Sequence, residues 1–233
     1  TPFAWCKSDK FEGSAIGPFI AGFKGICPAK LDLEKEAPEA LGILDGAFNR
    51  LAAQTNVTEI VFPESLEYIG KNAFNSIRSV ATLTLPDSLI EIDDNAFFNM
   101  TNLSEVVFGS DLERIGTSAF QQCGKLKSLE FPDSLEIIEN NAFNRCTNLS
   151  EIVSFGSALE EIGAGAFQNC WWLKGEEGLE FPESLETLGA DAFQNCSNLV
   201  TVVLNDNLSE IGARAFQDCR KLKDVARAGR KIL

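Results

Sequence analysis

The chain has 233 residues, enough for one sizeable core or two small ones, with ordinary shares of hydrophobic (45%) and charged (23%) side chains. Its 34 acidic residues outnumber 20 basic ones, and the formal charge of −14 argues against nucleic acid or an anionic membrane surface as a partner, because both require a basic footprint. Histidine is absent, which removes the commonest general base and metal ligand, and no run of about 18 apolar residues offers a helical membrane span.

The first residue is Thr1 rather than Met, so a trimmed start with any targeting segment already removed is expected. Residues 1–40 begin TPFAWCKSDKFEGSAIGPFIAGFKGICPAK, an apolar, Gly-rich stretch that precedes any repeat. It is read as a cap that wraps the open end of the first coil, stapled by a Cys6–Cys27 disulfide. Such a bond implies an oxidising place, so a cell exterior, a cell surface or an organelle lumen is favoured over the cytoplasm.

From residue 41 to 225 the chain repeats itself. Ala-Phe occurs eight times, with rings at Phe48, Phe74, Phe97, Phe120, Phe143, Phe167, Phe193 and Phe216, separated by 26, 23, 23, 23, 24, 26 and 23 residues. SLEYIGKNAF, DLERIGTSAF, ALEEIGAGAF and SLETLGADAF are copies of one phrase, and each copy is followed by a strand-like run such as VTEIVFP, LSEVVFG or LKSLEFP. In LSEVVFG the alternation points Leu103, Val106 and Phe108 inward and Ser104, Glu105 and Val107 outward. A period near 23 residues lies in the leucine-rich-repeat range. The expectation is an α/β repeat solenoid, right-handed, of about eight coils, with short parallel strands and short helical or 3₁₀ return segments around a continuous phenylalanine ladder.

The phrase SL–x–x–IG–x–x–AF–x–x–C–x–x–L, over roughly residues 43–225, resembles the BspA-like, or treponemal, family of leucine-rich repeats. That resemblance implies adhesion or interaction modules, many on cell surfaces, and therefore binding rather than catalysis.

Cys123, Cys146, Cys170, Cys196 and Cys219 each fall three residues after a repeat Phe, where other copies hold Leu51, Ile77 and Met100. A slot shared with Leu, Ile and Met is apolar, so these cysteines are read as buried thiols of the core beside the ladder rings. No C-x-x-C pair occurs, and neither a metal nor any other cofactor is expected. The N-x-[ST] triplets at Asn56, Asn99, Asn102, Asn148, Asn195 and Asn207 belong mostly to the repeat phrase and only weakly mark glycosylation. Residues 226–233 form a basic tail. Together with Arg220, Lys221 and Lys223 it is read as a polar outer face of the last coil, or else as a docking tail for an acidic partner.

Outward strand positions are where a solenoid binds. One column reads Val61, Thr84, Val107, Glu130, Val153, Glu180 and Val203; another reads Glu59, Thr82, Glu105, Ser128, Glu151 and Thr201. Valines flanked by acids suit a protein partner, with the acids setting orientation and rate. Trp171 and Trp172 break the pattern, because the two residues after the ladder Cys are otherwise small or polar, as in Thr147–Asn148 and Ser197–Asn198. The same coil carries about three extra residues, Glu176 and Glu177 among them, and the preceding coil carries one, suggesting a bulge near Ser154. Two alternatives stand for the indoles: packing under the insertion, or forming a contact site.

The leading functional expectation is a non-catalytic protein-interaction module, adhesin-like or an accessory subunit of a larger assembly. Its contact residues would be Trp171, Trp172, Glu176, Glu177, Val107, Glu130, Val153, Glu180 and Val203. The alternative is a carbohydrate or small-ligand binder that stacks its ligand on the Trp pair. A hydrolase built on Glu130 and Glu180, or on Glu176 and Glu177, comes last, since acids recur in every coil and no pair stands out.

Overall fold

The computed structural model describes residues 19–20, 29–49, 57–175, 178–227 and 230–231. Cys6, Cys27, most of the expected cap, Glu176 and Glu177 lie outside the described residues.

The chain winds as a parallel β-solenoid of about eight coils with three walls. One wall is a nine-stranded parallel sheet of two-residue strands, running from Phe19–Ile20 through Gly42–Ile43, Tyr68–Ile69 and on to Glu210–Ile211. Its partners follow in chain order, Ile69 opposite Ile92 and Ile92 opposite Ile115, so each coil adds one rung; the branched residues from Ile43 to Leu188 turn inward, whereas Ile211 at the open end is exposed. A second wall holds the longer strands, from Lys30–Asp32 and Glu59–Val61 to Asp224–Arg227. The last strand, Arg230–Lys231, folds back antiparallel and closes that wall at its C-terminal edge. Within the strands the outward and inward residues alternate as the sequence implies: Glu105 and Val107 are exposed and Val106 is buried.

The third wall overturns the expectation of helical returns. Among the described residues the only α-helix is Leu33–Glu36, so the fold is a β-solenoid rather than α/β. The Ala-Phe segments are chains of tight turns, and the reason is a left-handed backbone at two places in each coil. Asn72, Asn95, Ser118, Asn141, Gly165, Asp191 and Arg214, each just before the Ala, have φ near +60°, as do Ser76, Asn99, Gln122, Arg145, Asn169, Asn195 and Asp218, two after the Phe. A right-handed helix cannot pass through such residues. The alternation also divides the hydrogen bonds. The N–H groups of Asn72, Phe74 and Ser76 donate to the carbonyls of Asp94, Ala96 and Phe98 in the next coil at 2.9, 2.8 and 2.8 Å. The N–H groups between them, on Ala73, Asn75 and Ile77, close turns within their own coil. Every second donor thus bonds coil to coil, and the turn wall is as cross-linked as a sheet.

The core runs the length of the stack. The rings from Phe48 to Phe216 lie 5.0–5.7 Å apart and within 18° of parallel. A second aromatic column, Phe62, Phe108, Phe131, Phe155 and Phe181, meets the first edge-on, as Phe131 does Phe143 at 5.6 Å. Phe74, Phe97, Phe120, Phe143, Phe167 and Phe193 are fully buried, whereas Phe216 at the open end is only partly so. Cys123, Cys146, Cys170, Cys196 and Cys219 are buried free thiols, and each Sγ donates to the carbonyl of the Phe one coil before, at 3.1–3.4 Å. Burial drives their pKa values up, to about 12 for Cys123 and about 11 for Cys219. The Ser of the Ser-Leu phrase is explained similarly: Ser88, Ser134 and Ser184 place their hydroxyls on carbonyls of the preceding coil at 2.7–2.9 Å.

This packing predicts two outcomes. Phe143→Ala, which removes a ring stacked on both sides, should destabilise the chain by about 3–5 kcal/mol in chemical denaturation, and Phe216→Ala by clearly less. Thiol labelling at pH 8 followed by mass spectrometry should leave Cys123, Cys146, Cys170 and Cys196 unmodified until the chain is unfolded, since buried protonated thiols are poor nucleophiles.

Candidate functional site

The long-strand wall carries most of the outward residues singled out in the sequence. Val107 and Val153 are 47% and 56% exposed, Thr84, Glu130 and Glu180 are exposed, and Val61 and Val203 are half-buried. The wall is not uniform. Its strands hydrogen-bond two by two: Lys30–Asp32 with Glu59–Val61, Thr82–Thr84 with Glu105–Val107, and Ser128–Glu130 with Glu151–Ser154; Leu179–Glu180 then opens the final group. Within each pair the polar residue stands on the first strand and the valine on the second, Thr84 opposite Val107 and Glu180 opposite Val203.

Glycines make the second and third pairs tight. A Cβ on Gly109 would lie 1.9 Å from the Pro86 carbonyl oxygen, and one on Gly156 would lie 2.1 Å from that of Pro132. In the last group Asn205 takes the same place and its side-chain amide donates to the Pro182 carbonyl. Among the described residues no strand ladder joins one pair to the next, and each such seam opens as a groove. The groove beyond Val61 is about 500 Å³, with Glu59, Glu64 and Asp87 on its rim. The one beyond Val107 is about 410 Å³, with Glu130 and Asp133, and the one beyond Val153 is about 460 Å³, with Glu151 and Lys174. This two-coil alternation was missed in the sequence, although Pro86, Gly109, Pro132, Gly156 and Pro182 spell it out.

A register shift falls where the preceding coil carries its extra residue. Leu129 lies opposite Ile152 but Glu130 opposite Ser154, so Val153 is the residue left over and is pushed outward. Beyond the groove, Trp171 and Trp172 occupy the corner that leads into Leu179–Glu180. Neither indole packs inward: they are 49% and 55% exposed. The corner itself is pinned, because the Trp171 carbonyl accepts from Asn198 Nδ2 at 2.6 Å. The same bond recurs where Asn102 Nδ2 donates to the Arg78 carbonyl, so the Trp pair sits on regular backbone with irregular side chains. Gly175 and Gly178, which flank Glu176 and Glu177 in the sequence, have φ of 59° and 114°.

The structure therefore brings Val153, Trp171, Trp172 and Glu180 onto neighbouring coils, whereas Val107 and Glu130 flank the adjacent groove and Val203 lies inside the last group.

A further cluster that the sequence did not reveal lies on the nine-stranded wall. The Tyr68 hydroxyl donates to Asp93 Oδ2 at 2.7 Å, Lys71 pairs with Asp94 at 3.0 Å, and Arg114 bridges Glu91 at 2.5 Å and Glu139 at 3.2 Å. Asp93 is buried. Burial and the Asp93 carboxylate push the Tyr68 pKa upward; burial works against the Arg114 charge, but Glu139 and Glu91 outweigh it and raise its pKa. Each of these charges has an opposite partner within reach, which fits cross-linking of coils better than chemistry. Among the described residues no group of three or more Asp, Glu or Cys side chains is placed to hold a metal ion, and no helix is long and apolar enough to cross a membrane.

Comparison with known proteins agrees with this architecture. The family profile described as the BspA type leucine-rich repeat region matches residues 43–174 and 174–229, in six copies. A leucine-rich repeat protein from Bacteroides ovatus superposes with a TM-score of 0.64 at 20% identity, over 97% of this chain and 70% of its own. The leucine-rich repeat protein of T. pallidum superposes at 0.63 with 25% identity, over 96% of this chain and 91% of its own. A search of curated protein sequences finds no match. With the phenylalanine ladder, the coil-to-coil bonding and the profile all covering the same residues, the chain belongs to the BspA-type leucine-rich repeat family.

Proposed function

We propose that the chain is a non-catalytic protein-interaction module whose partner rests on the long-strand wall and the Trp171–Trp172 corner. The observation that carries this reading is the exposure of Val107, Val153, Trp171 and Trp172, four of the six large apolar side chains left in water among the described residues, with Ile90 and Ile211 the others. The acids beside them, Glu105, Glu130, Glu151 and Glu180, orient and accelerate the encounter rather than supply most of the affinity. Acids recur along the wall, so Glu130 and Glu180 do not stand out as a hydrolase pair would.

An adhesin-like role or an accessory place in a larger assembly both fit. So does a division into a cap over residues 1–40, a solenoid over 41–225 and a short tail over 226–233; the strand Arg230–Lys231 supports the tail as a closing element rather than a free docking arm. An extracellular or lumenal site rests on the Cys6–Cys27 bond alone. Non-reducing peptide mapping should find that bond intact.

Trp172→Ala should weaken capture of a native partner by about tenfold or more while leaving the melting temperature nearly unchanged, since the indole is half in water. A large loss of stability with intact capture would mean that the indole is a structural prop. The second reading, a saccharide stacked on an indole, is favoured by the same exposure; binding on a glycan array that Trp171→Ala or Trp172→Ala abolishes would select it.

A further inference from the structure

The corner between the turn wall and the long-strand wall follows its own rule five residues after each ladder ring. From the third described coil onward that column reads Asn102, Lys125, Asn148, Trp172, Asn198 and Lys221. Asn and Lys alternate, and Trp172 takes the place of one lysine. In the regular steps the two side chains meet: Lys125 Nζ donates to Asn102 Oδ1, and Lys221 Nζ to Asn198 Oδ1, each at 2.6 Å. The nitrogens of the same amides are engaged too, Asn102 Nδ2 with the Arg78 carbonyl and Asn198 Nδ2 with the Trp171 carbonyl, each at 2.6 Å.

Asn148 has neither bond. Trp172 stands where its lysine would be. The Gly124 carbonyl, the counterpart of the Arg78 and Trp171 carbonyls, instead accepts from the Asn148 backbone N–H and from Thr147 Oγ1, each at 3.3 Å. The Asn148 side chain is exposed and makes no hydrogen bond among the described residues. One replacement in the column therefore leaves two unused groups on consecutive coils: an indole about half in water, and an amide with two donors and an acceptor to spare. The corner residues on the flanking coils, Thr147, Asn148, Ser197 and Asn198, are uncharged, on a chain whose net charge is −14.

That surround separates two kinds of ligand. A protein hot spot lies inside a ring of contacts that exclude water, whereas this indole is bordered by hydroxyls and amides. An indole face is a flat apolar platform on which the C–H groups of a sugar ring can lie. A primary amide matches two neighbouring hydroxyls, because each hydroxyl donates and accepts and the amide offers both functions side by side. The platform is held before any ligand arrives, since the Trp171 carbonyl accepts from Asn198 Nδ2 at 2.6 Å and from Ser197 Oγ at 3.5 Å.

We infer that Trp172 and Asn148 form a subsite for one neutral sugar ring, whose face lies on the indole and whose vicinal hydroxyls bond the amide. Trp171 extends the platform toward the next ring of an oligosaccharide. This subsite presupposes the saccharide reading of the Trp corner and adds to it the polar partner and the class of sugar.

The full chain is produced in a bacterial host, so that the triplet Asn148-Leu149-Ser150 stays free of an attached glycan. It is titrated with the hexasaccharides of glucose in β-1,4 and α-1,4 linkage and of N-acetylglucosamine, and with oligogalacturonate as a charged control. Saturation-transfer NMR and tryptophan fluorescence report binding. At least one neutral probe should bind with a Kd of about 1 mM or tighter, and its affinity should not change with added salt. Trp172→Ala should weaken that binding by about tenfold or more. Asn148→Ala and Asn148→Asp should each weaken it by about fivefold and leave the melting temperature unchanged, because the amide holds no other part of the fold.

Binding that Trp172→Ala abolishes but both Asn148 variants leave intact overturns the subsite and keeps the saccharide reading. Binding indifferent to all three variants, or no binding of any neutral probe, overturns both. Tighter binding of oligogalacturonate, lost on adding salt, overturns the neutral class. The protein-partner reading is judged apart from these results, by capture of a native partner with the Trp172→Ala chain.

Discussion

Everything in this fold derives from the fact that one coil cannot bury its own apolar face. A coil of about 23 residues contributes one Phe, one Ala and a handful of aliphatic side chains, and these leave water only when the next coil closes over them. Closure requires the backbones to approach at a fixed distance, set by hydrogen bonds from one coil to the next in all three walls. The aromatic rings then have no freedom of separation; they stack near 5 Å because the backbone does. The Ala before each Phe is buried against the same junction, where a larger side chain would hold the coils apart.

How legible this was in the sequence depends on which residues carried the signal. Ala-Phe and the Cys column were readable because a buried slot tolerates few residue types, so the copies resemble one another. The turn wall was not, because segments such as SAFQQC hold residues that suit a helix. What forbids the helix is conformational: the residue before the Ala must be left-handed, and Asn72, Asn95, Asn141, Gly165 and Asp191 are types that tolerate this. Ser118 and Arg214 occupy the same column without such a preference and hide it, held there by hydrogen bonds to the neighbouring coils, as Ser118 N–H is to the Asn140 carbonyl. The irregular coils show the opposite balance. An extra residue in LSEIVSFG announces a bulge, since strand registers on both sides are fixed, but the direction in which Trp171 and Trp172 point depends on the surrounding coils and is not written in their own positions.

The charges sort by the same logic. On the nine-stranded wall, Arg114, Lys71 and Tyr68 each reach across to a neighbouring coil and engage Glu91, Glu139, Asp94 and Asp93. Pairs of this kind contribute little to stability individually. The −14 charge also extends over the long-strand wall, with its exposed Glu105, Glu130 and Glu180. A field of one sign beside exposed valines attracts basic partners and repels other acidic chains, including copies of itself.

Rigidity decides what kind of binding such a wall supports. Every described coil is tied to its neighbours through backbone and aromatic stack, and the later coils through a thiol as well, so the outward side chains are held in place before any partner arrives. A preorganised face loses little conformational freedom on association, and a larger part of each apolar contact remains as affinity. The same stiffness means that the wall cannot adjust its spacing to an ill-matched partner. A flexible surface would accept many sequences weakly; a rigid one would favour a partner whose shape already matches it. On the proposed reading, specificity would follow from how well a partner fits side chains whose positions the buried phenylalanines and their backbone bonds hold constant.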